Sequence, residues 1–126
     1  MGPGSHRSLG QQGEDIAYRF LIDRGLRPVA RNFRCRGGEI DLIMLDRQCL
    51  AFIEVRCRRS TEFARPADTV DFRKQRKIVR AAAMFLARER RYATFQMRFD
   101  VIAIEGAGVG GVDWIQDAFR PDDSAL

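Results

Sequence analysis

Two acidic residues near the middle of the chain lie in segments that a hairpin would bring together. Asp41 and Glu54 each belong to a short apolar run of strand character. If the turn between the runs is symmetric about the bond between Arg47 and Gln48, Asp41 directly faces Glu54, with Cβ atoms about 5 Å apart. Arg47-Gln48 is not a standard two-residue hairpin pair, so this register depends on a loop of even length.

Two opposed carboxylates repel each other and need a positive partner. The same register brings Arg56 opposite Glu39, one residue pair away from Asp41 and Glu54. One interpretation is therefore a surface lattice of ion pairs among these four side chains. The other is a divalent cation, because Mg²⁺ takes a few carboxylates together with water and substrate phosphates.

A strongly basic segment follows the hairpin. Residues 56–80 hold nine Lys or Arg against three Asp or Glu, a balance of +6, whereas the whole chain carries +5. Clustered cations of this kind favour a polyanionic partner such as nucleic acid. A solvated helix face is the alternative interpretation of the same residues.

Hydrophobic periodicity predicts the elements that position these residues. A helix over Gln11–Arg24 ends at Gly25, and a second runs from an N-cap at Asp71 to about Arg90, with Phe72 on its apolar face. The predicted strands are Leu26–Arg34, Glu39–Leu45, Leu50–Cys57, Gln96–Glu105 and Val112–Ile115, and Arg58–Asp68 is predicted to be a loop. This order predicts an α/β domain with a mixed, mainly antiparallel sheet flanked by helices.

Length and composition exclude several classes of protein. A chain of 126 residues has room for one domain, and no apolar run is long enough to span a membrane. Three cysteines and the single histidine His6 make a zinc site or a disulfide framework improbable, and no signal peptide is recognisable. We therefore expect a cytoplasmic domain over residues 7–119, after an expression scar over residues 1–6 and before a flexible tail over residues 120–126.

Several motifs together resemble the YraN-like family of small bacterial proteins. The segments that carry the resemblance are Gly10–Glu14 with Ala17, Asn32–Arg34, Gly38–Ile43, Phe52–Arg56, Val70 with Lys74, Lys77 and Ala81, Arg98–Ile102, and Ala118–Phe119. They cover about Leu9 to Phe119. The resemblance implies a fold related to restriction endonucleases and Holliday-junction resolvases.

The resemblance also implies a metal site. In those nucleases an Asp and a Glu-x-Lys on adjacent strands hold Mg²⁺ or Mn²⁺, often with a Glu from the first helix. By position these residues are Asp41, Glu54 and Glu14, and the lysine position is occupied by Arg56. Arginine cannot serve as a general base, although it can stabilise a phosphate charge; Lys74 or Lys77 is a candidate to supply an ammonium group instead.

The resulting expectation is a nucleic-acid-binding protein with Mg²⁺-dependent endonuclease activity on DNA, branched DNA included by resemblance to the resolvases. The residues expected to bind the phosphate backbone are Arg58, Arg59, Arg73, Lys74, Arg76, Lys77 and Arg80. The alternatives are a DNA-binding module with impaired catalysis, favoured by Arg56, and a protein-interaction adaptor that uses the basic face. Resolvases of this fold commonly dimerise, so a homodimer is left open.

Asp100 is expected to pair with an arginine rather than bind metal, and Glu14 could equally be a first-turn carboxylate favoured by the helix dipole.

Overall fold

The computed structural model describes residues 8–58, 70–105 and 111–121. The side chains of Leu9 and Arg58 lie outside this description, as do the predicted loop from Arg59 onward and the predicted scar. The elements are α1 (Leu9–Asp23), β1 (Arg27–Cys35), β2 (Gly38–Asp46), β3 (Cys49–Arg58), α2 (Phe72–Arg88), β4 (Gln96–Glu105) and β5 (Gly111–Phe119), with a short 3₁₀ turn at Arg90–Tyr92. The predicted order of a helix, three strands, a helix and two strands is confirmed.

Local hydrogen bonds explain where the two helices begin. Ser8 caps α1 through a reciprocal pair of hydrogen bonds with Gln11. At α2 the Asp71 side chain accepts a hydrogen bond from the backbone N–H of Lys74, as predicted for an N-cap. Helix α1 ends before Gly25, which has a φ of 92° and so occupies the left-handed region that favours glycine.

The five strands within the described residues form one mixed sheet in the order β1-β2-β3-β4-β5. Neighbours are antiparallel except β3 and β4, which run parallel and are connected through α2. The predicted hairpin register is confirmed from Asp46↔Cys49 to Leu42↔Ile53. Arg47 accommodates the two-residue turn by adopting a φ of 59°, a conformation that non-glycine residues rarely take.

In the part of the chain that the structure describes, each face of the sheet is covered by one helix, so the α/β class is confirmed and the core has two halves. Helix α2 packs through Ile78, Val79, Ala81, Ala82 and Phe85 on one face. Helix α1 packs through Ala17 and Leu21 on the other, against a set that includes Leu42, Ile53 and Ile102.

Two details of the predicted packing are wrong. Alternation along β2 predicts that Ile40 shares a face with Leu42, yet Ile40 packs in the α2 half of the core. Phe72, predicted on the apolar face of α2, is 65% exposed. Val70 is buried in that half of the core instead, two residues before Phe72. The chain therefore contributes its apolar contact just before the helix starts.

Two glycines let the helices approach the hairpin closely. A Cβ atom on Gly13 of α1 would overlap Sγ of Cys57 on β3. On the opposite face, a Cβ atom on Gly38 of β2 would overlap the backbone carbonyl oxygen of Lys77 on α2. Both helices are thus pressed against the end of the hairpin that carries Asp41 and Glu54.

In the parts of the chain that the structure describes, no helix combines the length and the apolar character needed to cross a bilayer.

Candidate functional site

Asp41 and Glu54 form a carboxylate pair where β2 and β3 separate. Beyond Leu42 and Ile53 the register of paired residues ends, and Oδ2 of Asp41 accepts a hydrogen bond from the backbone N–H of Val55 at 2.8 Å. The two carboxyl groups lie within hydrogen-bonding reach of each other. The predicted juxtaposition of Asp41 and Glu54 is therefore present, with a side-chain contact to the backbone at the point where strand pairing stops.

Burial makes the negative charge of this pair unfavourable. The side chain of Glu54 is only 6% exposed. Desolvation, followed by the neighbouring charge of Asp41, raises the pKa of Glu54 to about 8. Desolvation also raises the pKa of Asp41, and the hydrogen bond from Val55 opposes that rise. Near neutral pH the pair therefore retains a proton that one carboxyl group can donate to the other.

Two cations flank Glu54 from different elements. Nζ of Lys74 on α2 lies 3.7 Å from Oε2 of Glu54, and Nε of Arg56 on β3 lies 3.4 Å from the same oxygen. Nε of Arg56 is buried and has no hydrogen-bond partner within the described part of the chain. The two cations reduce the repulsion between the carboxyl groups, but the raised pKa of Glu54 means that they do not cancel it.

Glu14 approaches the pair from α1 on the other side of the hairpin. Its pKa is raised by partial burial and then by the charge of Asp41, while a hydrogen bond with Asn32 opposes the rise. Within residues 8–58, 70–105 and 111–121, no three Asp, Glu, His or Cys side chains are gathered as a ready set of metal ligands. Asp41 and Glu54 are in direct contact, whereas Glu14 is a neighbour that acts on Asp41 through its charge.

Asn32 is a member of this site that sequence reasoning assigned no role. It has a φ of 53° within β1 and forms a hydrogen bond with Glu14. Asparagine is enriched in this left-handed conformation. A polar Asn between Arg31 and Phe33 in a predicted edge strand was the available signal, since it interrupts the strand pattern.

A basic surface lies beside the acidic pair. Arg73, Arg76, Lys77 and Arg80 are all exposed on α2, and Lys74 is half-buried at the edge of the pair. An open cavity of about 570 Å³ runs along this side of the molecule. Its lining includes Arg34, Gly37, Gly38, Glu39, Lys74 and Lys77. Arg59 and the side chain of Arg58, which belong to the predicted nucleic-acid surface, lie outside the described residues.

A second buried carboxylate lies elsewhere and is fully paired. Asp100 is 0% exposed and accepts hydrogen bonds from Nε of Arg98, Nε1 of Trp114 and the backbone N–H of Asp117 at 2.9 to 3.1 Å. Arg98 is held in turn by Asp46 at 3.0 Å. The predicted pairing of Asp100 with an arginine is confirmed, so this carboxylate has a structural partner within the chain.

Comparisons with known proteins identify the family. Residues 13–104 match the model of the uncharacterised protein family UPF0102. A UPF0102 protein of Saccharophagus degradans is 46% identical over 114 residues, which are 90% of this chain and 94% of that protein. A UPF0102 protein of Stutzerimonas stutzeri is 44% identical over 115 residues, which are 90% of this chain and 96% of that protein. A UPF0102 protein of Pseudomonas putida is 40% identical over 122 residues, which are 95% of this chain and 98% of that protein. The resemblance to the YraN-like family is confirmed, and the chain belongs to the UPF0102 family.

Proposed function

We propose that this protein is a divalent-cation-dependent endonuclease acting on DNA, with a site of the restriction-endonuclease-like type. The observation that carries the proposal is the contact between Asp41 and the buried Glu54, whose combined charge is incompletely neutralised by the residues that the structure describes. In the described part of the chain, the mixed five-stranded sheet with one helix on each face is compatible with a restriction-endonuclease-like fold.

The donors of the pair suit Mg²⁺ or Mn²⁺. Carboxylate oxygens are hard ligands, and Mg²⁺ is usually held by one or two carboxylates with water and phosphate oxygens in the remaining positions. The raised pKa of Glu54 is consistent with such a site, because a bound cation would stabilise the charged form of both acids. When bound, the ion would neutralise charge on the scissile phosphate and lower the pKa of a coordinated water.

The flanking cations supply contacts to a phosphate. Arg56 keeps its positive charge and offers a buried Nε that lacks a hydrogen-bond partner in the described part of the chain. A phosphate oxygen could accept from that group, so Arg56 would stabilise developing negative charge without acting as a base. Lys74 approaches from α2 and would orient the phosphate from the other side of Glu54.

The exposed cations of α2 would bind the DNA backbone. Contacts of Lys and Arg with phosphates provide affinity and position but carry little sequence information. We therefore propose binding that depends strongly on salt concentration and weakly on sequence. Arg58 and Arg59 remain proposed members of this surface on the basis of sequence.

Cleavage assays on linear, nicked, single-stranded and branched DNA test the proposal. In Mg²⁺ or Mn²⁺ the wild-type protein is expected to cut at least one of these substrates. Asp41→Asn and Glu54→Gln each keep the side-chain shape but remove a charged ligand, and each should reduce the rate by about 100-fold or more. The matched control is Glu89→Gln, an exposed carboxylate paired with Arg91, which should cut at the wild-type rate. Cleavage that persists in both Asp41 and Glu54 variants would refute the proposed site.

Arg56 favours one second candidate, a DNA-binding module with impaired catalysis. Its guanidinium occupies the position at which related nucleases have lysine, and it makes an ion pair with Glu54. This alternative predicts salt-dependent DNA binding without cleavage in either metal. It also predicts that Arg56→Lys gains cleavage activity, whereas an active wild-type enzyme excludes it.

A further inference from the structure

An exposed aromatic ring begins the basic helix. Phe72 is 65% exposed, more than the other large apolar side chains that the described residues expose, Ile22 and Met84. Single exposed apolar residues are common on protein surfaces, so exposure alone implies no role.

One cation lies over the Phe72 ring, and the next residue along the chain is a second exposed cation. The guanidinium carbon of Arg76 is 5.6 Å from the centre of the Phe72 ring, and Arg73 is exposed next to it. Lys74, two residues after Phe72, contacts Glu54. Because a helix with its side chains is about 10–12 Å across, a single nucleic-acid strand could contact the ring and the acidic pair together.

We infer that Phe72 is a stacking platform for an unpaired base of a DNA strand whose phosphates are held by the cations of α2. This inference rests on the proposed function and narrows its substrate class to DNA with single-stranded character. Duplex DNA stacks the faces of its bases within the helix, whereas a single strand offers both a planar face to an aromatic ring and phosphates to Arg or Lys. An aromatic side chain among cations complements both features.

Two oligonucleotides of equal length test the inference in binding assays without divalent cations. One is single-stranded with ordinary bases, and the other has abasic sites in place of the bases, so that the phosphates are unchanged. The wild-type protein should bind the strand with bases more tightly, and Phe72→Ala should weaken that binding about 5- to 150-fold. Binding of the abasic strand should hardly change, while Phe72→Tyr should retain the preference for bases.

Two control variants separate stacking from charge and from general apolar contact. Met84→Ala removes another partly exposed apolar side chain of α2 and should leave the preference for bases unchanged. Arg73→Ala should weaken binding of both strands equally and reduce the slope of log affinity against log salt concentration by about 0.7. Phe72→Ala should leave that slope unaltered, because an uncharged ring releases no counterions.

Each remaining outcome overturns the inference. Equal affinity of the wild-type protein for the two strands, or binding to neither, excludes a stacking platform; binding to neither strand would point to an acidic protein partner for the basic face. An equal loss on both strands in Phe72→Ala excludes it as well. The proposed function fails separately: a protein that prefers bases but never cuts DNA in Mg²⁺ or Mn²⁺ retains the platform and loses the nuclease activity.

Discussion

Glu54 and Asp100 are both buried carboxylates, but their hydrogen-bond and charge partners differ. Asp100 receives hydrogen bonds from an arginine, a tryptophan and a backbone amide. Glu54 has cations at 3.4 and 3.7 Å, yet it also contacts Asp41, a second acid. A buried charge whose hydrogen bonds are complete is compensated within the fold, whereas one placed against a like charge keeps a repulsion that raises its pKa. Burial alone does not distinguish the two roles; the partners do.

The largest effect is expected from removing the charge of Asp100. Asp100→Asn leaves the partly buried Arg98 beside a neutral amide, with Asp46 as its remaining acidic partner. We expect the free energy of unfolding to fall by about 3 kcal/mol, measured by urea denaturation. Asp117→Asn, an exposed position whose φ of 55° asparagine tolerates, should leave the free energy of unfolding almost unchanged. A loss below about 1 kcal/mol in Asp100→Asn would remove the contrast with Glu54.

Removing the charge of Glu54 should raise the free energy of unfolding, whereas removing that of Asp100 lowers it. The pKa of Glu54 is about 8 in the folded chain against an ordinary value of 4.5, so the folded state binds more protons between these pH values. Stability that is fully present below pH 4.5 is therefore lost progressively as the pH rises to about 8 in metal-free buffer. Glu54→Gln cannot ionise, so at pH 8 in metal-free buffer it should be more stable than the wild type.

Urea denaturation at several pH values checks this prediction. At pH 5 the difference in stability between the wild type and Glu54→Gln should be much smaller than at pH 8, because pH 5 lies just above the ordinary pKa of 4.5 and far below the folded value of about 8. Glu89→Gln is the control, and its pH profile should parallel that of the wild type. A Glu54→Gln protein that is less stable than the wild type at pH 8 would mean that Lys74 and Arg56 already satisfy the carboxylate.

A smaller effect is expected from adding Mg²⁺ or Mn²⁺ at pH 8. A cation at ten times its dissociation constant stabilises the folded state by about 1.4 kcal/mol, which raises the melting temperature by about 3–6 °C. Asp100→Asn should keep this rise because its site is separate. The double variant of Asp41→Asn and Glu54→Gln should lose it, and equal shifts in the wild type and the double variant would contradict a metal site at the pair.

The sequence was sufficient for the element order and for the hairpin register. A two-residue turn symmetric about the bond between Arg47 and Gln48 restricts β2 and β3 to the observed pairing from Asp46↔Cys49 to Leu42↔Ile53. The separation of the strands at Asp41 was not predictable in the same way. There a side-chain oxygen takes the N–H of Val55, and such local hydrogen bonds compete with strand pairing without altering the hydrophobic pattern.

The remaining errors have similar causes. Strand β5 was predicted to end at Ile115, but it continues to Phe119 because Asp117 takes a positive φ while its N–H bonds to Asp100. Periodicity also predicts Phe72 in the core, because it identifies the apolar face of a helix without showing how far along the helix that contact extends. Both outcomes depend on tertiary contacts that one segment cannot reveal.

The contact between Gly38 and the Lys77 carbonyl has a consequence for how the site is maintained. Backbone meets backbone there, so the distance between helix α2 and strand β2 is set by the two main chains. The spacing of 3.7 Å between Lys74 and Glu54 is therefore preserved when exposed side chains on α2 are replaced. Gly38→Ala would instead lift the whole helix, separating every α2 cation from the acids in a single step and without removing any charge.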